Sequence, residues 1–170
     1  MKTKVLTLRL TRGAAVAALY VILTLLSALF GLSGGVIQFR ISEALCILPI
    51  FLPEAIPGLF IGCVLANLLT GAVVWDIIFG ALATLIGAIG ARLLRKLPDT
   101  LIWLTALPTV LANAVIVPFV LINAYGVTDG YWFIAMTVFI GEAVCAGIGG
   151  TMLYHFLKKS KSLRKYLADK

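Results

Sequence analysis

The chain has 170 residues, of which 62% are hydrophobic and only 12% are charged, and its formal net charge is +7. A soluble globular domain carries about 45–50% apolar and about 25% charged residues, so this composition excludes a soluble domain of this size. The apolar runs have the length of helices and lack the short alternating strands of an outer-membrane barrel. The sequence therefore predicts a single all-α integral membrane domain over residues 1–170.

The apolar runs and their interruptions predict six transmembrane helices. A membrane span needs roughly 20 residues, and the run 41–71 is too long for one helix. It is interrupted by "LPIFLPEAIPG", whose three prolines and one glutamate favour a turn, and we divide it there. In chain order, the predicted helices cover about residues 12–31, 41–52, 55–71, 75–95, 100–123 and 131–157. The second is short, because an α-helix over 41–52 extends only about 18 Å.

The basic residues predict the orientation of these helices. Lysine and arginine cluster before residue 13, at residues 92–96 and after residue 157, whereas Arg40 stands apart. The positive-inside rule places the three clusters on the cytoplasmic side, which requires an even number of crossings between residues 12 and 92. Either two crossings or a re-entrant hairpin in 41–71 satisfies the rule. Two crossings predict a multi-pass protein of the cell membrane with both termini in the cytoplasm.

Polar residues gather in the half of the predicted bundle that lies away from the basic clusters. A charged side chain deep in a helix costs at least about 2.5–3.5 kcal/mol, so such residues usually face a cavity or one another. Carboxylates, amides and aromatic faces at one level suit a flat molecule that forms many hydrogen bonds, including a cationic one. The candidate substrate-binding residues are Gln38, Arg40, Glu43, Asn67, Trp75, Asp76, Asn113, Tyr131 and Glu142.

Most of these residues also have a structural interpretation. Arg40 and Glu43 are spaced i, i+3 and can neutralise each other at the interface. Trp75 and Tyr131 are typical of the aromatic belt at a membrane surface. Asp76 can simply begin a helix.

Two further candidates lie deeper in the predicted bundle. Asn113 can form a hydrogen bond between helices. Glu142 lies about three turns into the last helix and has no basic neighbour in the sequence. It therefore fits a role in ligand binding or in a transport pathway better than a structural role.

Motifs for catalysis and for nucleotide binding are absent from the sequence. It contains no GxxxxGK[ST] loop, no HExxH pattern and no Ser/His/Asp set. The one histidine, His155, has no partner at metal-ligand spacing. We expect no enzymatic activity, no cofactor, no metal and no nucleic-acid partner. We interpret Cys46, Cys63 and Cys145 as small buried hydrophobic residues.

Four stretches carry a resemblance to a known family: "RGAAVAALYVILTLL", "VIQFRISEALCILPIF", "PEAIPGLFIGCVLANLL" and "WDIIFGALATLIGA". The first is generic to the substrate-binding S components of energy-coupling factor (ECF) transporters, and QFRISEAL and WDIIFGALATL are more specific. Over essentially its whole length the chain resembles these S components, and most closely their QueT-like branch for queuosine precursors.

This resemblance implies a high-affinity binding subunit that needs partners for transport. The implied partners are a membrane T component and two cytosolic ATPases, and the implied substrates are preQ1, preQ0 or queuine. Ala14 and Ala18 match the small-residue motif that packs against the T component. The loop over residues 32–40 would form a lid, with Gly34 and Gly35 allowing it to fold over the substrate.

The chemistry of these pyrrolopyrimidine bases suggests roles for the polar residues. We predict that Glu142, together with Glu43 or Asp76, accepts the donor groups of the base and of an aminomethyl cation. Asn67 and Asn113 would form hydrogen bonds with the carbonyl group and the ring nitrogen of the base. Arg40 would orient Glu43 or contact the ligand carbonyl.

Other functions remain open from the sequence. An S component for another vitamin would share the architecture and differ only in its pocket. A self-sufficient secondary transporter or channel would show inverted repeats and polar groups in both membrane halves. A small membrane enzyme would need paired metal-binding aspartates, which are missing. A purely structural subunit would not explain Glu142.

Overall fold

A computed structural model describes residues 2–33, 36 and 38–160 of the chain. Every regular element in this described part is helical, as the composition predicts. The α-helices are α1 (Lys2–Leu29), α2 (Ala55–Leu69), α3 (Val74–Leu93), α4 (Leu107–Tyr125), α5 (Tyr131–Glu142) and α6 (Gly150–Lys159).

Tighter and wider helical turns connect some of these helices. Two 3₁₀ helices, Ile41–Ile50 and Asp99–Ala106, precede α2 and α4 respectively. A π-helix, Ala143–Gly149, joins α5 to α6. The predicted fifth helix therefore begins as a 3₁₀ helix, and the predicted sixth contains a π-helical segment.

Within the described residues, four helical segments are long and apolar enough to cross a membrane: Thr3–Leu29, Val74–Leu93, Asp99–Tyr125 and Tyr131–Lys159. Two shorter apolar helices, Ile41–Ile50 and Ala55–Leu69, accompany them. Large apolar side chains on the outer surface face the lipid, and Trp132 and Leu29 are 82% and 79% exposed. The protein is therefore a multi-pass membrane protein.

Long-range contacts distinguish the two ends of the bundle. At one end, which we call the basic end, Arg12 pairs with Glu54 (3.5 Å) and Arg92 donates to the Pro49 carbonyl (3.0 Å). At the other, which we call the polar end, α1, α2 and α4 finish while α3 and α5 begin.

The 3₁₀ helix Ile41–Ile50 covers most of the segment predicted as the short second helix, residues 41–52. Its hydrogen bonds run from residue i to residue i−3, as between the Glu43 N–H and the Arg40 carbonyl (3.0 Å). A 3₁₀ helix rises about 2.0 Å per residue, so these 10 residues extend about 20 Å instead of about 15 Å as an α-helix. The segment is mostly buried by its neighbours, which keeps its strained backbone out of the lipid.

Helix α1 begins at Lys2, ten residues before the predicted start at residue 12. The hydropathy pattern places the start at the apolar run, but the helix continues backward through a polar segment. There, the hydroxyl groups of Thr7 and Thr11 donate to carbonyl oxygens one turn earlier (3.0 and 2.9 Å). Such bonds give the threonine hydroxyl groups a partner within the helix itself.

Glycine residues allow the backbones of α1 and α2, and of α3 and α4, to pack in direct contact. A Cβ atom at Gly58 in α2 would lie 2.5 Å from the Gly13 carbonyl oxygen in α1. A Cβ atom at Gly87 in α3 would lie 2.8 Å from the Cα atom of Thr109 in α4. These backbones approach too closely for any larger residue. Small residues at the contact are the usual way in which membrane helices gain packing energy.

Candidate ligand-binding site

A polar cavity of about 300 Å³ opens at the polar end of the bundle. Its walls come from the last turns of α1, α2 and α4, from the first turn of α3 and from the loop after α1. The lining residues are Thr24, Ala28, Ser33, Gln38, Arg40, Asn67, Thr70, Gly71, Ala72, Asp76, Leu121, Tyr125 and Val127. Four of the predicted binding residues, namely Gln38, Arg40, Asn67 and Asp76, therefore meet in one cavity.

An ionic network crosses the mouth of this cavity. The Arg40 guanidinium Nη2 lies 3.9 Å from Asp76 Oδ2. The Tyr125 hydroxyl donates to the same oxygen (3.0 Å) and accepts a hydrogen bond from the Val73 N–H (3.2 Å). Burial is the largest single effect and lowers the pKa of the Arg40 guanidinium, but Asp76, Tyr20, Cys63 and Glu43 together outweigh it and raise that pKa, so Arg40 remains a cation.

Asn67 is 2% exposed on α2 and faces the start of α3. Its Nδ2 donates to the Asp76 carbonyl oxygen (3.3 Å). The space for the amide exists because residue 80 is glycine: a Cβ there would lie 3.1 Å from Asn67 Nδ2. Gly80 thus allows an amide and a carboxylate to share the same corner of the cavity.

The loop between α1 and the first 3₁₀ helix is tied down at several points. Arg40 Nε donates to the Ser33 carbonyl (3.2 Å), and the Thr137 hydroxyl in α5 donates to the Val36 carbonyl (2.6 Å). A Cβ at Gly141 would lie only 1.9 Å from the Gln38 carbonyl oxygen, so the loop crosses α5 in direct backbone contact. Ser33, Val36 and Gln38 of the loop are thus each held by a contact to their backbone carbonyl. Residues 34, 35 and 37 lie outside the described part of the chain, and with them the predicted glycine hinge.

Three further candidates do not line this cavity but are buried within the described part of the bundle: Glu43, Asn113 and Glu142 are 1%, 4% and 7% exposed. Glu43 accepts hydrogen bonds from the Tyr20 hydroxyl at Oε1 and from the Cys46 thiol at Oε2 (3.2 Å). Asn113 donates to the Thr109 carbonyl one turn earlier (3.2 Å).

Glu142 ends α5 and interacts electrostatically with both Glu43 and Arg40. Among the described residues, its Oε2 has no hydrogen-bond partner and is shielded from solvent. Among the described residues, Glu43, Asp76 and Glu142 are thus buried carboxylates, and the buried guanidinium of Arg40 interacts electrostatically with each of them.

Arg40 and Glu43, spaced i, i+3, interact electrostatically, but no ion pair between them is found among the described contacts. The ion pair of Arg40 is with Asp76, and the two Glu43 oxygens accept from Tyr20 and Cys46. The physical reason is that the extended backbone at Arg40 directs its side chain across the cavity toward α3.

Two predicted aromatic residues lie away from the cavity. Trp75 is 59% exposed and stacks on Phe79, with ring centroids 5.7 Å apart. The Tyr131 hydroxyl donates to the Val115 carbonyl (2.9 Å) on α4. Both positions are typical of interfacial aromatic residues.

Ala14 and Ala18 are exposed on α1. They line an apolar surface groove of about 870 Å³ between α1 and α2. Gly13, Gly58 and Ala17 also line the groove, so small residues of both helices contribute to its surface.

Several site residues were not among the sequence candidates. Tyr20 and Thr24 lie one turn apart on the buried face of α1, where the Thr24 hydroxyl bonds to the Tyr20 carbonyl (2.9 Å) and to the Ser42 hydroxyl (2.8 Å). Their spacing on an otherwise apolar helix was the available signal. Tyr125 is followed by Gly126, whose φ of 68° ends α4 and leaves the ring beside Asp76.

A multi-pass helical bundle that keeps several charges buried around a cavity at one end has the features of a membrane transporter or its binding subunit. The family model described as "QueT transporter" matches residues 10–159. The chain belongs to this family.

A curated relative supports the same assignment. The chain is 41% identical over 91 residues to a protein of Lactococcus lactis subsp. cremoris (strain MG1363) that is named queuosine precursor transporter QueT. The match covers 53% of either chain, so this chain spans about half the length of the curated relative it matches. No solved structure matches the chain.

Proposed function

We propose that this protein is the substrate-binding subunit of an ECF-type importer and that it binds a queuosine precursor: preQ1, preQ0 or queuine. The observation that carries the proposal is the cavity lined by Arg40, Asp76 and Asn67, with the buried carboxylates of Glu43 and Glu142, which interact electrostatically with Arg40. The name of the Lactococcus relative points to the same class of substrate.

The buried groups complement the edges of a deazaguanine base. The pyrimidine edge of such a base presents two adjacent N–H donors, which one carboxylate accepts in a bidentate, charge-assisted pair. An aminomethyl cation requires a second carboxylate. Because the site holds more carboxylates than cations, it favours a ligand that brings hydrogen-bond donors or positive charge.

Each polar residue then has a role in binding. Glu142, together with Glu43 or Asp76, accepts the donors, and Asn67 and Asn113 read the carbonyl and the ring nitrogen of the base. Arg40 closes the site, because it joins the loop at Ser33 to Asp76 on α3.

Gln38 contributes to the roof of the site. Its backbone rests on Gly141 of α5 and its side chain lines the cavity. The tied-down loop supports a lid that must open for the ligand to enter. Tyr125, at the mouth, offers an aromatic face.

In this proposal the energy for transport comes from partners, and the sequence itself contains no Walker A loop. We assign the groove that contains Ala14 and Ala18 to a membrane T component, which in turn carries two cytosolic ATPases. An exposed row of small residues beside a second helix permits close contact between helix backbones.

In the proposed topology six segments cross the cell membrane, with the basic end in the cytoplasm and the polar end outside. The basic end carries Arg12, Arg92 and Lys158, in agreement with the positive-inside rule. The 3₁₀ helix Ile41–Ile50 supplies the second crossing at a length of about 20 Å, shielded by its neighbours.

Uptake of a labelled precursor tests the proposal. Cells without their own precursor transport would express this chain alone, or together with a T component and the two ATPases. We expect cells with the chain alone to bind the precursor without accumulating it, and ATP-dependent accumulation only with the full set. Accumulation by the chain alone would identify a self-sufficient transporter instead.

A further inference from the structure

The two buried glutamates of the site differ in how their oxygens are satisfied. Glu43, 1% exposed, uses one oxygen to accept from the Tyr20 hydroxyl and the other to accept from the Cys46 thiol (3.2 Å). Tyr20 is itself 1% exposed, so this arrangement lies fully inside the protein. Both oxygens of Glu43 already have donors within the described structure.

Glu142 has the opposite character. It is 7% exposed, and among the described residues no donor reaches its Oε2, which is also closed to solvent. An unsatisfied buried polar group costs stability, and natural proteins keep one mainly where it has a function.

The backbone around Glu142 supports this reading. Glu142 is the last residue of α5, and the π-helix Ala143–Gly149 begins directly after it. π-Helical segments are rare and occur frequently at functional sites. The preceding residue, Gly141, lies against the Gln38 carbonyl of the loop, so Glu142 is one residue along the chain from this backbone contact.

We infer that the two glutamates have different roles in ligand binding. Glu142 is the carboxylate that accepts the hydrogen-bond donors of the ligand, and Glu43 is a positioning residue held in place by Tyr20 and Cys46. The inference rests on the proposed function, because it assigns the donor-rich ligand to one of the carboxylates named there. It makes Tyr20 a determinant of affinity that acts through Glu43, without touching the ligand.

The apo protein tests the first half of the inference without any ligand. Glu142→Gln removes an unsatisfied carboxylate, so its melting temperature should equal or exceed that of the wild type. Glu43→Gln and Tyr20→Phe break a satisfied network and should both lower it. Cys46→Ser keeps a donor and should be milder than Cys46→Ala. A Glu142→Gln variant that melts as low as Glu43→Gln would overturn the inference.

Isothermal titration with preQ1, preQ0 and queuine tests the second half. We expect Glu142→Gln to lose at least about a hundredfold in affinity and Glu43→Gln to lose less than about tenfold. Tyr20→Phe should weaken binding in the wild type and have no further effect in the Glu43→Gln background, a result that a merely structural tyrosine would not give. Tyr131→Phe is the matched control.

The outcomes separate the two proposals. If the folded wild type binds no deazaguanine, the proposed function fails, and the melting temperatures still decide the roles of the two glutamates. If the wild type binds but Glu43→Gln loses binding as fully as Glu142→Gln, the proposed function stands and the inference fails.

Discussion

Arg40 and Asp76 form an ion pair across the mouth of the cavity, with 3.9 Å between Nη2 and Oδ2. Both residues are buried, at 8% and 7% exposed, and they belong to different parts of the bundle. Arg40 immediately precedes the first 3₁₀ helix, whereas Asp76 lies in the first turn of α3. The pair thus joins the loop that covers the site to the helix that forms its wall.

Breaking this pair should weaken ligand binding. Asp76→Asn leaves Arg40 without its counter-ion, and Arg40→Lys removes the Nε donor to the Ser33 carbonyl. Hydrogen bonds to charged groups contribute about 1.5–3 kcal/mol, so each variant should lose roughly ten- to a hundredfold in affinity. Titration of both variants and of the double variant measures the coupling between them.

The exposed Arg95 provides a matched control, because Arg95→Lys alters an arginine at the basic end and should leave affinity unchanged. Strictly additive losses in the double variant would show that the two residues act independently.

The loop contact at Gly141 should be sensitive to a single methyl group. In Gly141→Ala the new Cβ would lie 1.9 Å from the Gln38 carbonyl oxygen, and the loop must move to relieve the clash. Overpacking of this kind costs about 1–3 kcal/mol, which corresponds to a fall of roughly 5- to 150-fold in affinity if the loop closes over the ligand. Titration and the rate of ligand release provide the measurements.

Gly147→Ala is the control for this experiment. It adds the same methyl group to the following π-helix, where nothing lies within 4 Å. If both variants bind the ligand as the wild type does, the loop is not a lid.

The two tyrosine hydroxyls near the polar end should differ in importance. Tyr125→Phe removes the donor to Asp76 Oδ2, a bond of 3.0 Å, and should reduce affinity about two- to tenfold, since a net hydrogen bond is worth about 0.5–1.5 kcal/mol. Tyr131→Phe removes a bond to the Val115 carbonyl away from the cavity and should leave affinity unchanged. Titration of both variants side by side checks this, and a larger loss in Tyr131→Phe would place the ligand elsewhere.

A substitution in the groove on α1 should prevent assembly with the T component and leave ligand binding intact. Ala18→Trp fills the groove and should prevent copurification of the T component and the ATPases, whereas Leu19→Trp alters a lipid-facing position outside the groove and should not. Both variants should bind the ligand as the wild type does. Normal copurification of the complex with Ala18→Trp would show that this groove is not the surface that contacts the T component.

Sequence reasoning located most of the bundle because hydropathy and proline breaks are local signals. The break before α2 was found from its prolines, and the structure begins α2 at Ala55, as predicted. The type of helix is not a local signal. Whether Ile41–Ile50 forms an α-helix or a 3₁₀ helix depends on the distance that the segment must span between its neighbours. The π-helix at Ala143–Gly149 likewise gives no periodic signal of its own.

The candidate site was predictable in its composition and less so in its pairing. Deep charges such as Glu142 stand out in an apolar sequence because burying them is costly. Which partner each charge finds depends on contacts between distant segments, so the Arg40–Asp76 and Tyr20–Glu43 pairs could not be read from spacing. Trp75 lies next to Asp76 in the sequence, yet its side chain faces outward and stacks on Phe79.

Titration of the purified wild-type protein in detergent with preQ1, preQ0 and queuine, with biotin and riboflavin as controls, measures whether the protein binds a queuosine precursor. We expect tight one-to-one binding of at least one deazaguanine and no binding of either vitamin. Binding of a control vitamin instead, or no deazaguanine binding by a protein shown to be folded, would contradict this expectation.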